Sequence, residues 1–374
     1  MNPIRVLNVL PEKNCKEAEV FAMNIYRNIN RENVQFDFLF QGHERSIFED
    51  EIISLGGNIF RIDKLKTVGI YNYKDSIKEF FDYHNEYEIV HCYLDRYSGI
   101  VLGEAKKVGV KVRVAHMYNK DIKLNKIGYL KFSVNRNANY KFAYSKDDGE
   151  NIFGEFEKFT LLRNIMDLDK FSYNEDIRNR LKKDLNIDNE KVIGYISRGD
   201  SEKDNKKVIS LFNDIKNEYT DSKFVIVLNN YIKDKMEEKK DKYNLKDNII
   251  LLNEDEALEK DIMQCFDIMI FTSDLEIDNF LVKAQENNLP CVVLKNMDDV
   301  FDLNLGLVFR FNFNENEKIV AENILDKTSL RNSIKQDYIK YKMKKLGYDS
   351  REEAKILENF YLRAYKNRDN KEFD

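Results

Sequence analysis

Short apolar runs alternate with amphipathic stretches along the first half of the chain. Runs rich in Val, Ile and Phe predict strands at 4–9, 34–40, 58–62, 88–91, 112–116 and 140–144. Apolar positions three and four residues apart predict helices at 18–29, 48–55, 77–83, 99–108 and 126–137. Strands that alternate with helices of this length are typical of parallel βαβ units. The pattern therefore predicts an α/β domain with a doubly wound parallel sheet.

The same alternation restarts after residue 171. Strands are predicted at 192–197, 224–228, 249–252, 268–271 and 291–294, and helices at 177–185, 208–217, 232–243 and 350–365. The polar stretch 167–175 is the candidate linker between the two halves. A chain of 374 residues is long for one hydrophobic core, which also favours two domains. Two α/β halves of this kind predict a ligand site in a cleft between domains.

Composition narrows the class of protein. No apolar run approaches the roughly 20 residues that a membrane-spanning helix needs, and the first residues lead directly into a predicted strand without a signal-peptide pattern. The four cysteines have no metal-ligand spacing and are predicted to be reduced thiols, so we expect a cytoplasmic protein with no metal site. A net charge of −5 gives no reason to expect nucleic acid as a partner.

The segment 266–294 carries the clearest candidate chemistry. A buried strand is followed by the polar loop 272–276, a helix with Phe280, Leu281 and Ala284 at helical spacing, and a second strand after Pro290. In an open parallel sheet, ligands bind at the carboxyl ends of the strands. Glu276 lies in the loop where that rule places a ligand-contacting acid.

This segment resembles the donor-binding signature of glycosyltransferase family 4, the retaining, nucleotide-sugar-dependent enzymes with the two-domain GT-B fold. Thr272 and Ser273 stand at the family's Pro-Ser, Glu276 at its first Glu, and Lys283-Ala284-Gln285 at its Glu-Ala-Gln. Further matches to capsule-type members follow in family order at 4–11, 23–30, 88–93, 113–119, 164–171 and 192–205. Markers in this order favour the GT-B fold: two Rossmann-like domains facing across a cleft.

The resemblance implies a domain organisation. The first, acceptor-side domain is expected to cover 1–167 and the second, donor-side domain 168–349. In the family the C-terminal helix crosses back to the first domain, so 350–374 is assigned to that domain.

A nucleotide-sugar donor carries two phosphates, which need cations or backbone N–H groups close by. Arg198 and Lys203, in the loop after a predicted strand, match the family's diphosphate clamp, although ordinary solvated loop cations are the alternative. Ser197, Ser273 and Lys283 complete the expected donor-binding set. Glu276 is expected to contact the hydroxyls of the donor sugar; a surface carboxylate is the alternative.

On the acceptor side, His116 ends an apolar strand, where a His can reach the cleft. The family places a catalytic-site residue at this position, whereas a packed His at a strand end is the alternative. We therefore assign His116 and Glu276 as candidate catalytic residues. The expected acceptor-side residues are His91, Tyr93, Asp95, Asn119 and Glu19.

Departures from the family pattern are concentrated on the donor side. Residues with side chains replace family glycines at Lys16, Glu17, Ile165, Ser197 and Ile277. A β-carbon at such a place is expected both to strain the backbone and to occupy ligand space. Lys283 replaces the second Glu of the family, and a cation cannot accept a hydrogen bond from a ribose hydroxyl. The donor site is therefore expected to be degenerate.

These observations leave two main hypotheses. The first, slightly favoured, is a retaining transferase that moves a hexosyl or N-acetylhexosaminyl group from a nucleotide sugar, with a UDP-sugar preferred, to a surface-polysaccharide, glycolipid or protein-glycan acceptor. It would need no tightly bound cofactor. The second is an inactive GT-B protein that serves as an accessory or binding subunit, with a glycosyltransferase as partner. A generic nucleotide-binding α/β protein is a third class, but the first strand is followed by neither of the usual glycine-rich phosphate loops.

A separate expectation concerns the membrane surface. Basic residues interleave with apolar ones between positions 123 and 141. Such a helix can lie on an anionic bilayer, where lipid-linked acceptors reside, and the chain would then be peripheral at the inner face of the cell membrane. The alternative, which we favour, is a core-packed helix with a solvated charged face.

Overall fold

A computed structural model describes the protein. It covers residues 2–11, 16–117, 127–163, 165–197, 202–228, 232–233, 236–237, 245, 247–253, 261–272, 277–294, 301–311 and 317–369. Within helices and strands it leaves the side chains of 16, 127–130, 202–207, 218, 277–279, 294 and 317–319 undescribed. The chain divides into two compact units, one formed by 1–167 with 347–374 and the other by 168–346.

The first unit is built on a parallel sheet whose strand order is β3-β2-β1-β4-β5-β6-β7. Its strands are β1 Ile4–Leu10, β2 Val34–Gln41, β3 Ile59–Ile62, β4 Ile89–Cys92, β5 Val112–Met117, β6 Tyr140–Ala143 and β7 Thr160–Leu161. Its helices are α1 Lys16–Asn28, α2 Glu49–Ser54, α3 Leu65–Tyr83, α4 Ser98–Lys107, α5 Ile127–Asn137 and α6 Lys146–Ile152. A 3-10 turn, Asp95–Tyr97, follows β4.

The second unit repeats this arrangement with the strand order β10-β9-β8-β11-β12-β13. Its strands are β8 Lys191–Ile196, β9 Ser222–Leu228, β10 Ile249–Asn253, β11 Ile268–Ile270, β12 Cys291–Leu294 and β13 Val308–Phe311. Its helices are α7 Glu175–Asp184, α8 Glu202–Glu218, α9 Ile277–Glu286, α10 Glu317–Lys327 and α11 Gln336–Lys345. The predicted α/β fold class, with two parallel doubly wound sheets, is confirmed.

The C-terminal helix α12, Ser350–Lys366, belongs to the first unit. Its apolar face, with Ala354, Leu357 and Tyr361, is buried against α1 and the face of the sheet that carries Phe36 and Phe38. The Tyr361 and Phe36 rings meet edge to face, with centroids 5.9 Å apart. Helix α12 therefore completes the core of the first unit, as the resemblance implied for the last helix.

Burial on both faces explains why these strands read as continuous apolar runs. In β8, residues 192–195 are buried, and the neighbouring strands β9 and β11 are buried along the same rows. Gly194 is needed there because a β-carbon would overlap the Phe266 ring.

Candidate functional site

In each sheet the first strand of the unit is central: the next two strands in sequence are added on one side of it, and the later strands on the other side. In the first unit this change of side, the switch point, lies between β1 and β4, and in the second it lies between β8 and β11. Helices cover opposite faces on the two sides of such a point, which opens a crevice outside the carboxyl ends of the two strands. The two switch points are therefore where ligand-contacting side chains are expected.

At the switch point of the second unit, Ser197 follows β8 and Thr272 follows β11 by two residues. Because Ile270 is paired with Tyr195, the same register brings Thr272 beside Ser197. Thr272 shares a hydrogen bond of 3.2 Å with the Tyr195 hydroxyl. The Ser197 backbone N–H donates to Val227 O, and its buried hydroxyl has no hydrogen-bond partner among the described residues. A buried hydroxyl without a partner at a strand end is a group that a ligand can satisfy.

The structure places Lys283 on α9, half-buried, between two aromatic rings. Its ammonium nitrogen lies 4.9 Å from the Phe171 ring centroid and 5.0 Å from that of Phe280. A cation over ring faces is attracted by the negative face of the ring. Lys283 therefore has a structural role that the sequence did not indicate, because Phe171 is more than 100 residues earlier in the chain.

Several predicted site residues lie outside the described residues. These are Arg198, Ser273, Glu276 and Asn119. Lys203 lies in the first turn of α8, but its side chain is outside the described part. The same holds for the side chains of Lys16 in α1 and Ile277 in α9. The assigned roles of all these residues remain predictions.

The far end of α9 is held by a buried polar network that the sequence reading missed. Asn287 Nδ2 donates to Phe171 O at 2.7 Å, and Arg331 Nη2 donates to Asn287 Oδ1 at 2.6 Å. Arg331 also donates to Phe266 O and stacks on Tyr173. Burial lowers the pKa of Arg331 to about 10, so it stays charged at neutral pH. The four consecutive buried polar residues 285–288 were the available signal, since polar side chains are rarely buried without partners.

At the switch point of the first unit, His91 and His116 are fully buried on neighbouring strands. The Nε2 atom of His91 lies 3.2 Å from Nδ1 of His116, and Nδ1 of His91 lies 2.6 Å from the Tyr361 hydroxyl. Burial lowers the pKa of His116 to about 3, and burial together with the nearby His116 lowers that of His91. Both imidazoles are therefore neutral at physiological pH.

Tyr93 lies directly beside this pair. Its ring stacks on His91 with centroids 4.3 Å apart, and its hydroxyl donates to Asn8 Oδ1 at 3.4 Å. Phe21 on α1 packs edge-on against the His116 ring, with centroids 5.0 Å apart. The structure thus brings together three predicted residues, His91, Tyr93 and His116. The sequence reading did not include Asn8 or Tyr361 among the site residues.

Two further acceptor-side candidates, Glu19 and Asp95, lie at the same edge of this sheet. Glu19, on the first turn of α1, is buried and accepts a hydrogen bond from Ser46, and burial raises the pKa of its carboxyl group. Asp95 follows β4 in the left-handed region, with φ of 47°. A residue with a β-carbon rarely adopts that conformation unless its surroundings hold it there.

Three of the replaced glycines can be examined directly, and one of them, Glu17, is an exposed residue in the first turn of α1. Ser197 does not lie at positive φ, so its β-carbon does not strain the backbone, contrary to the expectation from the sequence. Ile165 is buried in the core of the first unit, and its carbonyl accepts a hydrogen bond of 2.9 Å from Asn24. At Ser197 and Ile165 the chain has accommodated the side chain by packing.

The basic helix α5 is anchored by Val134, which is fully buried, while Phe132 is 59% exposed and carries Arg136 over its ring. The burial of Val134 agrees with a helix that packs one face against the core. Contact of this helix with a bilayer remains a prediction. Within the described residues, every helix is too short or too polar to cross a membrane.

Two Rossmann-like sheets, each with polar residues at its switch point, give the chain the fold class of GT-B proteins. Comparison with known proteins agrees: residues 177–297 match the family model "Glycosyl transferases group 1". The matched range includes Ser197, Arg198, Lys203, Glu276 and Lys283. The resemblance to glycosyltransferases predicted from the sequence is confirmed.

Individual relatives also include glycosyltransferases. The chain is 29% identical over 96% of its length, and over 96% of the relative, to EpsF of Bacillus subtilis (strain 168), which is named as a candidate glycosyltransferase. Among solved structures it is similar to a glycosyltransferase from Rickettsia africae, with a TM-score of 0.77, 15% identity and coverage of 98% and 100% of the two chains. It is also similar to Anabaena HepE in complex with UDP, with a TM-score of 0.74, 13% identity and coverage of 97% and 99%.

Proposed function

We propose that the protein is a retaining glycosyltransferase that uses a UDP-sugar and transfers its sugar to a surface-polysaccharide, glycolipid or protein-glycan acceptor. In this reaction the bond between the sugar carbon and the UDP oxygen breaks and UDP leaves. The acceptor hydroxyl loses its proton, and its oxygen bonds to the sugar carbon on the same face of the sugar. The observation that carries the proposal is the buried Ser197 hydroxyl at the switch point of the second unit, which has no hydrogen-bond partner within the described part of the chain. That position lies inside the range that matches the family model.

The chemistry of the donor fits the residues around this point. A diphosphate needs hydrogen-bond donors and cations, and Ser197 provides the first while Arg198 and Lys203 follow it in the chain. Glu276 follows the neighbouring strand β11 and is assigned to the hydroxyls of the donor sugar. The similar Anabaena protein was solved with UDP bound, which supports UDP as the nucleotide.

The inactive accessory protein remains the second candidate because of Lys283. Its ammonium is held by two aromatic rings at the place where the family has a ribose-binding carboxylate. A cation there offers no acceptor for the ribose hydroxyls. Weak or absent nucleotide binding would follow.

Calorimetry with UDP-, GDP- and ADP-sugars separates the two candidates. We expect a UDP-sugar to bind, and Arg198→Ala to weaken binding by about tenfold or more, the value of a charge-assisted hydrogen bond to phosphate. Arg180→Ala is the matched control, because Arg180 is 60% exposed on α7 and pairs with Asp261. Absence of binding by all three donors at millimolar concentration would favour the accessory protein. For an active enzyme, the anomeric configuration of the product, read by NMR, tests retention.

A further inference from the structure

The histidine pair of the first unit is connected to the C-terminal helix by a hydrogen-bonded chain. Tyr361 on α12 reaches His91 on β4 at 2.6 Å, and His91 reaches His116 on β5 at 3.2 Å. All three side chains are fully buried. In sequence, Tyr361 lies 270 residues from His91, so this connection exists only in the folded unit.

The positions of the hydrogens in this chain follow from the available acceptors. The described hydrogen bonds give the Tyr361 hydroxyl one partner, His91 Nδ1. A buried hydroxyl hydrogen needs an acceptor, so Tyr361 donates and His91 Nδ1 accepts. A neutral imidazole carries one hydrogen, which places the hydrogen of His91 on Nε2. His91 Nε2 therefore donates to His116 Nδ1.

The same reasoning then sets the tautomer of His116. Because its Nδ1 accepts, a neutral His116 carries its hydrogen on Nε2. The Tyr93 hydroxyl also lies 3.4 Å from His91 Nδ1, which is a longer contact than the 2.6 Å of Tyr361, and its hydrogen has a second acceptor in Asn8. Tyr93 donates to Asn8 Oδ1, while the Asn8 amide nitrogen donates to the carbonyl oxygens of Val6 and Asp37.

We propose that Tyr361 is a positioning residue that, through His91, holds His116 in the tautomer with its hydrogen on Nε2. A group that meets Nε2 of His116 then meets a hydrogen-bond donor, and His116 does not act as a general base. The consequence for sugar transfer rests on the function proposed above, whereas the tautomer does not. Among the described residues, the hydroxyls of Tyr93 and Tyr361 and the rings of Phe21 and Phe142 face the pair.

The low pKa values of both histidines agree with this arrangement, because a chain in which His91 donates and accepts and His116 accepts needs both rings neutral. Protonation of either ring would place a second hydrogen on a nitrogen that now accepts. The geometry and the protonation state therefore support the same assignment.

Nitrogen-15 NMR of the imidazole side chains tests the proposal without any activity assay. The chain has four histidines, and His43 and His84 pair with Asp63 and Glu86 and serve as internal references. His91→Gln and His116→Gln assign the buried pair. We expect His116 to show a hydrogen-bearing Nε2 and a bare Nδ1. A hydrogen on Nδ1 of His116 in the unmodified protein would overturn the proposal, whether or not any variant folds.

Tyr361→Phe then tests the origin of the tautomer. Removing the hydroxyl should give a mixture of tautomers at His91 and His116, while Tyr93→Phe should leave the His116 tautomer unchanged. An unchanged His116 spectrum in folded Tyr361→Phe would show that Tyr361 does not position the pair. If the protein is active, we expect Tyr361→Phe to lower kcat about tenfold with KM nearly constant, the effect of losing one oriented hydrogen bond.

Tyr365→Phe, on the same helix, is the control for activity, since the Tyr365 ring packs against Arg368. Equal losses of kcat in Tyr361→Phe and Tyr365→Phe would indicate a general effect on α12 and would overturn the positioning role. Absence of transfer by the unmodified protein, together with the expected tautomer, would instead count against the proposed function alone.

Discussion

The ammonium of Lys283 lies 4.9 Å from the centre of the Phe171 ring, which joins α9 to the first residues of the second unit. The Phe280 ring, one helical turn earlier, covers the same ammonium at 5.0 Å. In the resembling family a carboxylate at this position accepts hydrogen bonds from a ribose. Here Lys283 instead packs against two aromatic rings of the second unit. Replacing it by Glu is therefore expected to help nucleotide binding and to weaken the packing.

Lys283→Glu should tighten UDP binding by about tenfold, because it restores a ribose acceptor, and it should lower stability by about 1 kcal/mol, because the cation–π contacts are lost. Lys283→Gln is the control that removes the charge without adding an anion. Calorimetry with UDP and thermal unfolding measure the two effects. Weaker UDP binding in Lys283→Glu than in the unmodified protein would mean that Lys283 itself contacts the donor.

Arg331→Ala should strongly destabilise the second unit. Arg331 is partly buried, donates to the Phe266 carbonyl and to Asn287, and stacks on Tyr173. Its removal leaves buried acceptors without donors, which costs about 3 kcal/mol or more. Arg180→Ala, on the exposed side of α7, should change the free energy of unfolding by less than about 0.5 kcal/mol. Chemical denaturation measures both, and equal effects would contradict the role assigned to Arg331.

The buried histidine pair predicts a loss of stability in acid. The pKa of His116 is about 3 in the folded unit and near 6.5 when unfolded, so below pH 6.5 the unfolded chain binds more protons. The free energy of unfolding should therefore fall as pH decreases from 6.5 towards 3, by up to about 1.4 kcal/mol for each pH unit from this residue alone. His116→Gln should give a shallower slope over that range. An identical slope in the variant would show that His116 is not held neutral.

Glu353, on α12, should make the protein less stable as pH rises, which is opposite to the effect of His116. Burial, followed by the charges of Asp349 and Glu352, raises the pKa of Glu353 to about 7. Its folded pKa exceeds the unfolded value, so its ionisation removes stability as pH rises from about 4.5 through 7. Glu353→Gln should raise the melting temperature at pH 8 and leave it almost unchanged at pH 4. Glu352→Gln, at a more exposed position paired with Lys355, is the control and should show no such dependence on pH.

Much of the fold was predictable because strands buried on both faces leave a strong pattern. The apolar runs at 4–9, 34–40 and 192–197 correspond to β1, β2 and β8 within one or two residues. Boundaries were harder where local signals conflict. Helix α3 begins at Leu65, twelve residues before the predicted start, and it bends at Gly69, whose φ of 78° is not helical. Helices α10 and α11 and strand β13 were not predicted, and β13 is only half-buried along its length.

The site was only partly predictable, since residues that lie far apart in the chain create its environment. The sequence placed His91, Tyr93 and His116 at strand ends, and strand pairing brings these ends together. Nothing near them in the sequence points to Tyr361, which arrives on a helix that packs back onto the first unit. In the second unit, the ring of Phe171 beneath Lys283 is equally distant.

The sequence by itself determined the class of protein. Hydrophobic periodicity and the order of motifs can each be recognised from short stretches of the chain, without knowing which distant residues pack together. Only the tertiary structure decided which polar side chains share a buried environment. Hydrogen bonds and desolvation act over a few ångströms in space, whatever the distance along the chain. For that reason only the folded units show the neutral histidine pair, its tyrosine partner and the aromatic rings that pack around Lys283.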